Sequence, residues 1–153
     1  MAIFVDSDTK VVVQGLTGSQ GRFYGLRNRD YGTKVVAGTN PRKAGTDVDG
    51  IPVFATVADA RAATGATASC VFIPAPAVPD AVLEAADAGM ELVVVITEGV
   101  PAQDETRLFN VLRRDHPGTR LLGPNCPGVI TPGGATSASP PGTSPRPGDR
   151  WAS

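Results

Sequence analysis

The run Val11-Val12-Val13 breaks at Gly15, passes through Gly15-Leu16-Thr17-Gly18-Ser19-Gln20-Gly21, and leads into a helical pattern. A β-branched run, a glycine-rich break and a helix start together predict a strand, a phosphate-sized loop and a helix N-terminus. A helix start leaves backbone N–H groups unpaired and carries partial positive charge, so an anion is favoured where those groups point. The glycines let the backbone come close, and Thr17 and Ser19 add hydroxyl donors. The spacing is Gly-x-x-Gly-x-x-Gly. It is neither the Gly-x-Gly-x-x-Gly dinucleotide fingerprint nor a Walker A loop, because no Gly-Lys-Ser/Thr follows. A turn without a ligand would use the same residues, so the loop nominates a site without fixing its occupant.

The rest of the chain repeats the strand-to-helix alternation. Residues 1–10, with Asp6, Ser7, Asp8 and Thr9, read as an exposed lead-in. A helix over Ser19 to Tyr31 precedes a second strand, Val35 to Gly38, which opens into the polar, basic turn Thr39-Asn40-Pro41-Arg42-Lys43-Ala44-Gly45. Thr46 to Val53 reads as a short hairpin around Asp49-Gly50, and Val57 to Thr64 as a helix closed by Gly65. Ser69 to Ile73 is a buried strand halted by Pro74-Ala75-Pro76. Val78 to Ala88 is the most regular helix, with Val78, Ala81, Val82, Ala85 and Ala86 on one face and Gly89 as its stop. Leu92 to Ile96 is a further strand, residues 102–114 a helix with Leu108, Val111 and Leu112 inward, and Arg120 to Leu122 a last strand. The pattern predicts an α/β fold: a mostly parallel sheet with helices on both faces and right-handed crossovers.

At 153 residues the chain is long enough for one domain with a sizeable core. A net charge of −1 with no basic run points away from nucleic acid and from membrane surfaces, and no apolar run is long enough to span a bilayer. Cys70 and Cys126, far apart and without a signal-peptide pattern, read as reduced thiols of a cytoplasmic protein. One histidine and two distant thiols cannot build a zinc site, so no metal is expected. His116, at a helix end, has a ready structural role against the helix C-terminus. Cys126 is a candidate nucleophile without a nearby base in sequence, and Glu98 a candidate base or acceptor. These residues favour binding over catalysis.

In open α/β sheets ligands lie outside the carboxyl ends of strands, which places the loops holding Gly18, Lys43, Thr97 and Asn125 along one crevice. Arg42 and Lys43 would then reach an anion held at Gly18. Gly15 to Gly21, Ala66-Thr67-Ala68-Ser69, Ile73-Pro74-Ala75-Pro76, Ile96-Thr97-Glu98-Gly99 and Gly123-Pro124-Asn125-Cys126-Pro127-Gly128, in this order, resemble the alpha subunit of succinate–CoA ligase. The resemblance runs from about Phe4 to Gly133. It implies a Rossmann-like CoA-binding domain over residues 1–133. By the same resemblance Thr17, Gly18, Ser19 and Gln20 hold CoA phosphates, Lys43 pairs with the nucleotide end, and Ile96, Thr97 and Glu98 line the CoA path. Asn125, Cys126 and Pro127 then lie near its thiol. The family joins succinate to CoA at the expense of a nucleoside triphosphate through succinyl phosphate and a phosphohistidine, together with a beta subunit. His116 does not match the phosphohistidine motif, which belongs to a second domain, so no catalytic residue is expected in this chain. A free-standing CoA-binding or acyl-CoA-sensing module is the alternative. A nicotinamide-dependent oxidoreductase is disfavoured by the glycine spacing and by the lack of an acid after the second strand.

From Gly134 the composition changes: residues 134–153 hold no Val, Ile, Leu or Phe and read as disordered. A natural linker has this composition, and so does a frameshifted product. A GC-rich back-translation read from the third base of Ala135 permits Asp-Ile-Gly-Ile-Thr-Pro-Gly-Asn-Ile-Ala-Lys-Thr-Gly-Arg-Pro-Val-Gly-Leu, similar to the family's continuation into its second domain.

Overall fold

The triple-valine run lies at the centre of a seven-stranded sheet. In the computed structural model, which describes residues 4–131, the elements follow in the order β1 (Lys10–Gln14), α1 (Ser19–Tyr31), β2 (Lys34–Thr39), β3 (Asp47–Val48), β4 (Ile51–Phe54), α2 (Val57–Thr64), β5 (Ala68–Val71), α3 (Val78–Asp87), β6 (Leu92–Val95), α4 (Ala102–Asp115) and β7 (Arg120–Leu122). The sheet order is β3-β4-β2-β1-β5-β6-β7. All neighbours are parallel except β3 and β4, the short hairpin at one edge. From β1 the chain builds outward through β2 and β4, then returns to place β5 on the other side of β1. That reversal opens a crevice between the carboxyl ends of β1 and β5. The tail from Gly134 lies outside the described residues.

Alternation along the central strands sorts side chains between two apolar layers. Val12, Val71, Val93 and Val95 join a layer with Val57 and Ala60 of α2, the Val78, Ala81, Val82, Ala85 and Ala86 face of α3, and Leu108 and Leu112 of α4. Val11, Val13, Cys70, Phe72 and Val94 point to the other face, with Leu16 and the partly buried Tyr24 and Leu26 of α1. Among the described residues, α-helices therefore cover both faces, three on one and one on the other.

Two local expectations change. The lead-in is not wholly exposed: Val5 is only 2% exposed, because it belongs to the apolar layer on the α1 face, and the Thr131 hydroxyl donates to its carbonyl at 2.6 Å. Val111 is half-buried, not inward. It lies about 60° round the helix from the Leu108 direction, on the flank of the stripe. The stops behave as their glycines predict, with Gly32, Gly65 and Gly89 at φ of 119, 70 and 81°.

Gly21 has a different task. A Cβ there would run into the Gly15 carbonyl oxygen, so α1 can lie this close to the β1 turn only without a side chain at that position. Gly38 of β2 likewise leaves room for Leu16. Gly21→Ala should destabilise the chain by about 2–3 kcal/mol, overriding the gain in helix propensity. Gly118→Ala, with open space around it, should stay within about 0.5 kcal/mol of the parent. Urea unfolding of both variants checks this; equal stabilities would show that the close approach does not constrain the fold.

Candidate functional site

The loops that follow β1, β2, β5, β6 and β7 form one rim, and hydrogen bonds join each to the next. The Asn40 side-chain amide donates to Thr17 Oγ1 at 2.7 Å, joining the β2 loop to the β1 loop. Phe72 N–H donates to the Gln14 carbonyl at 2.9 Å, holding the start of the β5 loop beside the end of β1. Thr97 Oγ1 donates to the Ile73 carbonyl at 2.6 Å, and Asn125 N–H to the Thr97 carbonyl at 2.9 Å. The rim thus runs from Lys43 through Thr17 and Ile73 to Thr97 and Asn125, as the topology predicts.

At the centre of the rim, α1 starts at Gly18 with no side-chain cap and no acidic residue in its first turn. The other α-helices carry carboxylates there: Asp59 in α2, Asp80 in α3, Asp104 and Glu105 in α4. Those acids satisfy their own helix dipoles, whereas the partial positive charge of the α1 terminus meets no side-chain cap and no acid in its first turn. Gly18, Ser19 and Gln20 are exposed and Thr17 is half-buried. Lys43 is exposed, makes no ion pair among the described residues, and belongs to the turn in which its N–H donates to the Asn40 carbonyl at 3.1 Å. The second half of the rim is uncharged apart from Glu98. Ile96 and Thr97 are half-buried, Glu98 is exposed, and Asn125 and Pro127 are exposed on either side of Cys126. Asn125 adopts a left-handed φ of 52°, and a Cβ at the neighbouring Gly123 would collide with the Val95 carbonyl. The last loop therefore folds back tightly over the end of β6.

Cys126 has the position of a rim residue but not the chemistry of a nucleophile. Its thiol donates to the Val95 carbonyl at 3.3 Å. Burial pushes its pKa above the ordinary thiol range, with the Gly128 amide opposing, and no imidazole is at hand. His116 sits at the other end of the sheet, where α4 ends, with Nε2 3.2 Å from an Asp87 carboxylate oxygen. That contact ties α4 to α3. Among the described residues no three His, Cys, Asp or Glu side chains are grouped to hold a metal ion, and no helix is long and apolar enough to cross a membrane. Sequence reasoning nominated Thr17 and Lys43 but passed over Asn40, which connects their loops; its only signal was its place directly after the second strand.

The fold and rim define a Rossmann-like α/β protein whose uncapped α1 terminus lies among the loops at the carboxyl ends of the strands. Residues 6–99 match the CoA binding domain family, and the chain belongs to it. Its sequence is 54% identical over 142 residues to the succinate–CoA ligase [ADP-forming] subunit alpha of Aquifex aeolicus, covering 93% of this chain and 47% of that protein. It is 50% identical over 131 residues to the corresponding subunit of Staphylococcus aureus, covering 86% and 43%. The chain spans about half the length of the curated relatives it matches. Among solved structures, the ATP citrate lyase of Methanothrix soehngenii, in complex with citrate and coenzyme A, superposes with a TM-score of 0.71 at 22% identity. That match covers 90% of this chain and 24% of the other. Acetyl-coenzyme A synthetase 1 of Ca. Korarchaeum cryptofilum gives 0.68 at 25% identity, covering 86% and 30%.

The thiol environment has a consequence in pH. A thiol whose folded pKa is raised stabilises the fold fully below the ordinary thiol value of 9.0, and that contribution is lost as pH rises through the raised value. Iodoacetamide should therefore label Cys126 more slowly than a free thiol at neutral pH, with the rate still climbing above pH 9, while the wholly buried Cys70 reacts only on unfolding. Mass spectrometry of labelled peptides reads both sites, and rapid labelling of Cys126 at pH 7 would contradict this environment.

Proposed function

We propose that this chain is the coenzyme A-binding part of a succinate–CoA ligase alpha subunit. The observation that carries the reading is the uncapped, acid-free N-terminus of α1, set at the rim beside a loop that supplies Lys43. Coenzyme A is a polyphosphorylated nucleotide carrying a long, neutral arm that ends in a thiol, and the rim has the same order of chemistry. Thr17, Gly18, Ser19 and Gln20 would receive phosphate oxygens, with hydroxyls and backbone N–H groups as donors. Lys43 would supply the positive charge at the nucleotide end. Ile96, Thr97 and Glu98 would line the path of the arm, and Asn125, Cys126 and Pro127 would surround its end. The bound cofactor supplies the thiol that becomes the thioester. This chain's residues bind and orient it, while the proton of Cys126 stays on its own sulfur.

The reaction served is the joining of succinate and CoA at the expense of a nucleoside triphosphate, in the cytoplasm, with a beta subunit as partner and without nucleic acid or membrane. No residue of this chain is assigned to phosphoryl transfer. Calorimetric titration of CoA, NAD and ADP into the purified chain tests the reading. CoA should bind preferentially, with affinity falling roughly tenfold in Lys43→Ala and further in Gly18→Val, whose side chain would stand in front of the helix N–H groups. Gly18 has an ordinary φ of −82°, and its added Cβ would lie 3.3 Å from the nearest neighbouring atom, the Gly15 carbonyl oxygen, so this substitution is far milder than one at Gly21. Preference for NAD, or CoA binding untouched by both changes, would overturn the assignment. CoA binding without capture of a beta subunit in size-exclusion chromatography would favour the free-standing module.

A further inference from the structure

Asn40 directly follows β2, the position where a dinucleotide-binding fold keeps an acid for the ribose diol. Both ends of its side chain are committed within the protein. Oδ1 accepts the Arg42 N–H at 2.9 Å, and Nδ2 donates to Thr17 Oγ1 at 2.7 Å. The first bond fixes the second. A backbone N–H can only donate, so the oxygen must face Arg42 and the amino group must face Thr17. The backbone of Asn40 is equally occupied, its N–H donating to the Phe54 carbonyl at 3.0 Å and its carbonyl accepting from Lys43.

We propose that Asn40 is a positioning and specificity-determining residue: by donating to the Thr17 oxygen it leaves the Thr17 hydroxyl hydrogen for an anion, and it withholds the acceptor that a ribose diol would need. The proposal rests on the reading that the Thr17 loop holds a phosphate. A hydroxyl has one hydrogen and two lone pairs. Accepting from Asn40 turns the remaining donor away from that amide and leaves it for another partner. Asn40 thereby commits its own oxygen and one Thr17 lone pair within the protein and leaves the Thr17 hydrogen to donate, which suits a phosphate better than a ribose diol.

The test is a double-mutant cycle on CoA affinity with Asn40→Ala, Thr17→Val and the pair, together with Asn40→Asp, and thermal unfolding as a check on folding. Asn40→Asp keeps the shape but accepts the Thr17 hydrogen and adds a negative charge, so CoA should bind at least about tenfold more weakly. Asn40→Ala should cost several-fold, and the double variant should bind no more weakly than Thr17→Val alone. Thr17→Ser, which keeps the hydroxyl, should retain most of the affinity. Additive losses, or parental affinity in Asn40→Asp, would overturn the proposal. If the parent chain binds no CoA, the reading of the site fails, and the side-chain amide protons of Asn40 decide this inference separately by NMR. One proton should be shifted and protected from exchange in the unliganded parent and lose both properties in Thr17→Val. Two equivalent, unprotected protons would overturn it.

Discussion

The contact between Gly21 and the Gly15 carbonyl is the constraint on which the rest of this structure depends. Because nothing projects from Gly21, the first turn of α1 rests on the turn that ends β1, and the helix terminus lies at the mouth of the crevice. Gly15 turns at a φ of 90° with Phe72 and Ile73 against it, so the same turn also meets the β5 loop. One close approach thus places the α1 terminus and brings the two sides of the sheet's topological reversal together. Overpacking at such a point would shift the helix start as well as lower stability.

From that terminus the rim extends by short polar ties, each made between loops far apart in sequence: Asn40 to Thr17, Thr97 to Ile73, Asn125 to Thr97. The loops are pre-positioned by main-chain and side-chain bonds that exist before any ligand arrives. Such a site loses little conformational freedom on binding, so more of the contact energy remains as affinity. The charged groups are unevenly distributed along it, with Lys43 at one end and Glu98 toward the other. A ligand with anionic and neutral ends would therefore be oriented as well as held.

The sheet and its helices were legible wherever the sequence had a period to read. The stripe of Val78, Ala81, Val82, Ala85 and Ala86 repeats at helical spacing and is buried as one face. The valine runs of β1 and β6 stop at glycine or polar turns and are buried on both sides. Val5 was misjudged because the polar residues Asp6 to Thr9 set the reading of the whole lead-in, although Val5 ends the short apolar run Ile3-Phe4-Val5 and joins the layer on the α1 face. Val111 misled because a helix flank and a helix face differ by one position. At the site, glycine spacing marked the β1 loop and basic residues marked the β2 loop, but the bond between Asn40 and Thr17 depends on the parallel register of β1 and β2. Spacing within one segment carries no record of such a register. Cys126 shows the opposite limit: its place on the rim was readable, whereas the direction of its thiol, toward the Val95 carbonyl, follows from the tight return of the last loop.

The bond from Thr131 to the Val5 carbonyl closes the fold on itself, so the polypeptide enters and leaves this unit at neighbouring points. A module with adjacent ports can be carried on a longer chain without stretching either connection or displacing the sheet. The solved chains that share this fold illustrate such portability, since the matching unit accounts for only 24% of one and 30% of another.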